Sequence, residues 1–559
     1  MQENAKTRLH DLDALRAVAM LLGIVLHSAL AYSIGLWPVQ DSSQSDGLGF
    51  SVAAIHGFRM ALFFLLSGFF TAMLWRKRGR QALLKQRIQR VFLPLVLGLL
   101  TIIPALHWVS NWAMESAKRE RAAQQQKNPE PALLTAIRKK DSAAVQRLLN
   151  AGENPNESDK EFKVIPLGWS SMYGNAEITR LLLEKGADIQ GKNGDGSSPL
   201  HNAVFIGSPE VVKLLLEKGA NPQAKDDAGR IPFNNTSVDW GITQYIVELL
   251  RIPLRPQEEI TKGRKACVAL LSPNASAQDN KGNSAGLNDL FGLRPAYKRL
   301  LIWSGWSLPL GNPKAPFNLV FTPFFDHLWF LWFLCWLVPF FLLWARAAEK
   351  RGWKGVPQKW VISPLAYLWL IPLTLIPQSF MGVLGPSFGP DTSIGLVPQP
   401  HILLYYGIFF AYGVLYYECE DSEGRLGKYW SMSLPLAVFG VLIASFITMQ
   451  NPLLSGLFQV IYAWMMCFAM IGLFRRFLKR ENKAMRYLSD ASYWLYITHV
   501  PLVMLVQYWV KPWQIPVLLK FGFVCTSVTA VLLLCYAGFV RYTWLGTLLN
   551  GKRERQSRS

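Results

Sequence analysis

The feature that most constrains this chain is a recurring apolar run of about 20 residues, the length needed for a helix to cross a hydrocarbon core of about 30 Å. Ten such runs stand out, near 12–34, 51–75, 91–112, 324–346, 361–381, 401–418, 431–449, 454–475, 491–510 and 516–541. Only 17% of the residues are charged and 51% are hydrophobic, whereas a soluble domain carries roughly 25% charged residues. The pattern predicts an all-α, polytopic membrane helix bundle with about ten transmembrane helices. The first run is long and lacks a small-residue cleavage site, so it reads as a span and not as a cleaved signal.

The net charge of +21 is concentrated beside the apolar runs. That is where orientation signals lie, so the charge does not call for a nucleic-acid partner. Alternate connections carry 27 Lys or Arg between them, and the short connections facing the other way carry one, Lys511. Basic residues are retained on the cytoplasmic side, which predicts two cytoplasmic termini. The six cysteines show no CxxC or Cys/His ligand spacing, so neither a disulfide framework nor a metal site is expected.

The long segment between the third and fourth runs has a period of its own. Pro166, Pro199 and Pro232 recur every 33 residues, and LLNAGENPN, LLEKGADIQ and LLEKGANPQ recur at 34 and 33. SPLHNA, Ser198–Ala203, is close to the ankyrin signature, and three or more such helix pairs must stack to bury their apolar faces. His201 within it reads as a structural turn residue. The flanking spans place this insert on the extracytoplasmic side. The chain thus divides into a first membrane part (8–112, three spans), ankyrin repeats (130–252, three clear units and a degenerate fourth), a linker and membrane-surface segment (253–314), a second membrane part (315–545, seven spans) and a basic tail (546–559). Trp303 and Trp306 suggest the surface segment.

Within the bundle, polar residues stand where lipid would exclude them. Arg16 and His27 lie eleven residues apart in the first run, about three turns, hence on one helix face and roughly 16 Å apart along the axis. An ionisable side chain inside a membrane is a functional-site hypothesis by default. The competing readings are a snorkelling arginine and an interhelical hydrogen bond from the histidine. His56 and Arg59, one turn apart, occupy the outer half of span two, and His107, His327 and His401 lie at the outer side. His499 falls near mid-depth of span nine. Histidine at mid-depth suits proton transfer. His107 and His401 fit a role at the interface. Arg87 and Arg90, one turn apart at the cytoplasmic start of span three, are placed to clamp a phosphate. A polyanionic donor held from the cytoplasm, with its reactive end threaded to an outer acceptor, needs that layout.

RLHDLDALRAVAMLLGIVLH, HGFRMALFFLLSGFF, RIQRVFLPLVLG, DHLWFLWFL and LSDASYWLYITHVPL together resemble the acyltransferase-3 family of membrane acyltransferases, over roughly 8–112 and 315–540. DHLWFLWFL and PHILLYYGIFFAYGVLYY are most similar to its glucan biosynthesis protein C branch, which implies a succinyl transferase for periplasmic glucans. The ankyrin insert departs from that branch. The resemblance implies acyl-CoA as donor, with a succinyl or acetyl group, and no metal. It places Arg16 and His27 in the family's arginine, ten residues, histidine motif, His56 and Arg59 in its span-two pair, and Arg87 and Arg90 in its RxxR. Arg87 and Arg90 would then hold the CoA phosphates and Arg16 would orient the donor. His27 would act as general base or as covalent relay. His56 and Arg59 would hold the acceptor or a succinyl carboxylate, and His327 and His499 would support or contact the acceptor. The implied partners are membrane lipid, an envelope glycan acceptor and a protein met through the repeats; the implied location is a bacterial inner membrane, with the insert periplasmic. Two readings stand beside the enzyme: a transporter or channel with an ankyrin domain, and a non-catalytic membrane-anchored interaction or sensor protein.

Overall fold

The computed structural model describes residues 9–33, 37–127, 130–227, 229–238, 243, 246–247, 250–271, 293–303, 306–308, 317–353, 355–383, 388–449 and 451–551. The basic residues Lys6 and Arg8, the tail from 552, part of the fourth repeat and 272–292 of the expected linker lie outside them. The chain separates into two compact units, one comprising 1–118, 285–383 and 387–559, the other 119–284 with 384–386.

The first unit is a helix bundle. It opens with α1, His10–Ala29, and α2, Asp46–Arg87, which starts where the Ser45 side chain accepts from Leu48 N. A single wide turn, Ile88–Phe92, joins α2 to α3, Leu93–Lys127. The basic stretch between spans two and three was expected as a connection, yet it is helical. Its Arg, Lys, Gln, Ala and Leu residues are good helix formers, and Gly79, at φ 76°, provides the only non-helical backbone inside α2.

The second unit holds helix pairs α4–α5 (Ala132–Arg138, Ser142–Asn150), α6–α7 (Pro166–Met172, Ala176–Glu184) and α8–α9 (Pro199–Phe205, Pro209–Glu217). Proline at the first helical position starts α6, α8 and α9, where a missing N–H costs nothing. At the fourth repeat position the described residues form one 3-10 turn, Pro232–Ser237. Part of the expected linker is instead α10, Gln257–Leu271. Ile260 and Cys267 are fully buried there, and the Arg264 guanidinium donates to the carbonyls of Phe205 and Val238 and to Thr243 Oγ1. α10 therefore covers the end of the stack, and its burial overrides the Gly- and Lys-containing sequence that reads as loop. His201 is structural: its Nδ1 accepts from Ser198 N at 3.1 Å and its Nε2 donates to Arg230 O at 2.9 Å.

The first unit resumes with α11, Leu293–Leu301, a two-stranded ribbon (Ser307–Leu308 with Phe317–Asn318), α12, Trp329–Lys350, and α13, Ala366–Gln378. It is completed by α14, Pro400–Glu418, α15, Trp430–Pro435, α16, Leu442–Ile447, α17, Pro452–Phe477, α18, Lys483–Val510, α19, Val517–Cys535, and α20, Trp544–Asn550. A helix occupies each expected span. Among the described residues, six helical stretches are long and apolar enough to cross a membrane: 10–32, 46–120, 326–350, 430–447, 452–477 and 517–540. The 46–120 stretch contains two of the expected runs. α13 has 13 residues and two internal prolines, fewer than the expected run at 361–381. α14 and α18 are inner helices, so they bury polar side chains instead of meeting lipid: Tyr405, Tyr406, Tyr412 and Tyr416 on one, Asp490, His499 and Gln507 on the other. α2 and α14 cross at backbone distance, since a Cβ on Gly68 would strike Phe410 O and one on Gly413 would strike Leu65 O. Small residues permit such close helix approach inside membranes. α1 packs against α18, α2, α17 and α19, which brings its polar residues to the middle of the bundle.

Candidate active site

Two polar assemblies lie along α1. The first is a ring cluster at its carboxy-terminal end. His27 Nδ1 lies 2.8 Å from Gly23 O and 3.0 Å from His499 Nε2, and the two ring centroids are 5.0 Å apart. His499 Nδ1 lies 3.0 Å from Leu495 O and 2.9 Å from Tyr496 O. Carbonyl oxygens only accept, so in the neutral rings both protons sit on Nδ1. His499 Nε2 then offers its lone pair to the His27 Nδ1–H, which is shared with Gly23 O. This arrangement leaves His27 Nε2 as the unprotonated nitrogen, and no protein group among the described residues hydrogen-bonds to it.

The walls of this cluster come from three further helices. From α2, the Arg59 guanidinium fills the space beside Gly23, where a Cβ would collide with Nη1, and Arg59 Nε is buried without a partner. The Tyr406 hydroxyl on α14 is itself buried and unpartnered, and the Tyr496 hydroxyl on α18 donates to His327 O at 2.7 Å. His327, just before α12, donates Nε2 to Ile497 O at 2.9 Å; its ring lies 5.8 Å from that of His499, and its Nδ1 is buried without a partner. Arg59 Nε, the Tyr406 hydroxyl and His327 Nδ1 are thus three buried polar groups without a partner among the described residues, a rare condition that calls for an explanation.

His56 stands one turn before Arg59 on α2, but its Nε2 donates to Pro390 O at 3.0 Å and anchors the segment after α13. His107 pairs with Asp326 at 2.9 Å, and His401 Nδ1 accepts from the Tyr297 hydroxyl at 2.7 Å. Both make local hydrogen bonds and neither joins the His27 cluster.

The second assembly surrounds the other end of α1. A cavity of about 960 Å³ is lined by Arg16, Lys77, Arg78, Arg87 and Arg90, with Asp13 and Asp490 as its carboxylates. Arg16 donates to Ser489 Oγ at 3.2 Å and pairs with Asp13 at 3.3 Å. Arg87 donates Nη2 to Thr71 Oγ1 at 2.5 Å, while its Nε and the Gln86 Oε1 are buried without partners. The wide turn at 88–92 frees the Arg90 carbonyl, which accepts from the Tyr493 hydroxyl at 2.6 Å. Met20, Phe63, Phe330 and Leu331 line the same cavity. Met20 is seven residues from His27, about 10 Å along the helix axis, and Phe63 is one turn from Arg59. The basic cavity and the histidine cluster are thus joined by a short apolar stretch of α1 and α2.

The structure therefore brings Arg16, Arg87 and Arg90 to one cavity, and His27, Arg59, His327 and His499 to one cluster. His499, expected as a supporting or acceptor contact, faces His27 directly. Sequence reasoning missed Gly23, Gln507 and Trp37. The Gln507 amide donates to His27 O at 2.9 Å and Ser28 O at 3.1 Å and accepts from Trp37 Nε1 at 2.7 Å. Its signal was available: an amide in the apolar run LVMLVQYWV, where a polar side chain needs a reason.

Comparison with known proteins finds two families along the chain. A family described as an acyltransferase domain matches residues 9–118 and 279–539, well over half of the chain, and one described as ankyrin repeats (3 copies) matches 133–226. Curated relatives described as glucans biosynthesis protein C, from Salmonella paratyphi B, Salmonella heidelberg and Salmonella enteritidis, are each 40% identical over 99 residues. That alignment covers 18% of this chain and 25% of each relative, so the chain matches a quarter of the length of the curated relatives.

Proposed function

Because this chain belongs to the acyltransferase-3 family, we propose that it is a membrane O-acyltransferase moving an acyl group from acyl-CoA to a hydroxyl of a periplasmic glucan or another envelope glycan. The observation that carries the reading is His27: its Nδ1 is held by Gly23 O and His499, its Nε2 is free, and it stands about two turns of α1 beyond a cavity lined by five cationic side chains. Arg16, Arg87 and Arg90 suit the CoA phosphates through charge-assisted hydrogen bonds. The apolar wall that Met20 and Phe63 give the cavity suits the pantetheine arm, which would present a succinyl or acetyl thioester toward His27.

In that pose the acceptor oxygen attacks the thioester carbonyl carbon while His27 Nε2 takes the hydroxyl proton. The Arg59 guanidinium is placed to stabilise the oxyanion that develops, or the free carboxylate of a succinyl group. The C–S bond then breaks, and the imidazolium returns the proton to sulfur, releasing CoA as the thiol. Proton transfer by a placed side chain contributes about 10²–10⁴-fold. The charge asymmetry of the connections supports a bacterial inner-membrane protein with cytoplasmic termini and a periplasmic ankyrin stack. The test is release of free CoA thiol by the purified protein in nanodiscs, given succinyl-CoA or acetyl-CoA, with and without a β-linked gluco-oligosaccharide. Acceptor-dependent thiol release is expected. Its absence with both donors, together with no acyl-CoA binding, would overturn the reading in favour of a transporter or anchor.

A further inference from the structure

The segment that follows α1, at the end away from the basic cavity, is fixed more firmly than a connecting loop requires. Asp41 N donates to Ala31 O at 2.9 Å and Ser45 N to Tyr32 O at 2.8 Å, which closes the segment back onto the end of the helix. The Asp41 carboxylate then receives the Lys520 ammonium of α19 at 2.7 Å, with both side chains 3% exposed, and Lys520 also donates to Lys511 O at 3.0 Å. Burying an ion pair is expensive and is weak evidence for stability alone. Here its geometric effect is to hold residues 37–45 in one place.

What that place positions is Trp37. Its ring centroid lies 5.8 Å from that of His27, tilted by 31°. Its one polar atom, Nε1, is committed to Gln507 Oε1, and Gln507, 1% exposed, spends both amide protons on the carbonyls of His27 and Ser28. The indole is therefore locked in orientation by the same amide that fixes the backbone of His27. It has no hydrogen bond left to offer a ligand, and it keeps part of its surface open. What remains is a rigid, half-buried indole, packed against the bundle core and set beside the His27 ring. An indole face recognises the C–H-lined face of a pyranose, whose hydroxyls project at the ring edge. A sugar stacked on it would carry an edge hydroxyl toward the His27 ring.

We propose that Trp37 is the stacking platform of a carbohydrate acceptor subsite, held in register with His27 by Gln507 and by the Asp41–Lys520 pair. The inference rests on the acyltransferase reading and extends it by naming how the acceptor is recognised. It makes the ligand a pyranose, and it makes Trp37 a binding residue that leaves the donor cavity untouched.

The experiment uses the full-length protein in nanodiscs, as wild type, Trp37→Ala and Trp37→Phe. Saturation-transfer difference NMR reads binding of a β-linked gluco-oligosaccharide, and acyl-CoA binding is measured on the same samples. Wild type is expected to give transfer to sugar C–H protons. Trp37→Ala should weaken sugar binding by about tenfold, about 1.4 kcal/mol, and Trp37→Phe by less, with acyl-CoA affinity unchanged in both. Equal sugar binding in wild type and Trp37→Ala would overturn the platform and leave Trp37 as an interfacial anchor. No sugar binding by a wild type that binds acyl-CoA would remove the glycan acceptor itself, a separate failure. If Trp37→Ala loses acyl-CoA binding through misfolding, Trp37→Phe decides, since it keeps a smaller face without the bond to Gln507: sugar affinity equal to wild type would count against the platform.

Discussion

At the scale of single residues, the buried cations and histidines differ by what they touch. Arg87 has one guanidinium nitrogen on Thr71 and another buried without a partner, beside Arg16 and Arg90 in one cavity. A cation so placed is completed by an anion, and a hydrogen bond to a charged group contributes about 1.5–3 kcal/mol. Arg87→Ala should therefore weaken acyl-CoA binding by about 10- to 100-fold, while turnover at saturating donor falls much less. Isothermal titration with succinyl-CoA or acetyl-CoA, set beside turnover numbers, checks that split. A loss confined to turnover would move Arg87 out of the donor site. His499 acts differently: it touches His27 Nδ1, and so leaves Nε2 as the nitrogen for the proposed proton transfer.

At the scale of elements, α1 matters through its spacing from its neighbours. Gly23 leaves room for the Arg59 guanidinium four residues before His27, and a methyl there would meet Nη1. Overpacking of this kind costs about 1–3 kcal/mol. Gly23→Ala should push Arg59 or His499 out of line and lower acyl transfer by at least about tenfold, with acyl-CoA affinity close to wild type; unchanged transfer would mean the cluster tolerates looser packing than its distances imply. The ankyrin unit offers an element-scale test of another kind. Burial pushes the His201 imidazole below its ordinary value of 6.5, and the Arg230 carbonyl only partly opposes it. A depressed folded-state pKa means that the unfolded chain binds the proton first, so this contribution is present above about pH 6.5 and is lost as pH falls through the lower folded value. The geometry says the same, because protonated Nδ1 could no longer accept from Ser198 N. The melting temperature of the 130–271 fragment should drop as pH is lowered from neutral to about 5, and His201→Gln should flatten that slope. An equal slope in both would assign the pH dependence to carboxylates.

At the scale of the whole molecule, much is legible in the sequence. Apolar period and length gave the helices, because lipid demands about 20 residues and internally satisfied backbone. The 33-residue period gave the stack, because the units repeat the same proline and Leu-Leu turn chemistry. Arg16, His27 and Arg87 were legible as anomalies, charges where the solvent is hydrocarbon. What escaped was set by contacts between distant segments. α10 reads as a loop until Ile260, Arg264 and Cys267 find Phe205 and the end of the stack. The basic stretch 76–87 reads as a connection, although its residues individually favour helix. His499 cannot be matched to His27 from spacing, since 472 residues separate them. Nor does sequence say that Gln507 ties the Trp37 indole to the backbone of His27. The central claim is that His27 moves the proton in an acyl transfer to an envelope glycan. Its most direct test is mass spectrometry of envelope glycans from cells expressing the wild-type chain, the His27→Ala variant at equal membrane abundance, or neither. An acyl mass increment that requires the protein and is lost with His27→Ala is expected; an increment that persists at wild-type level in the variant would contradict the role of His27.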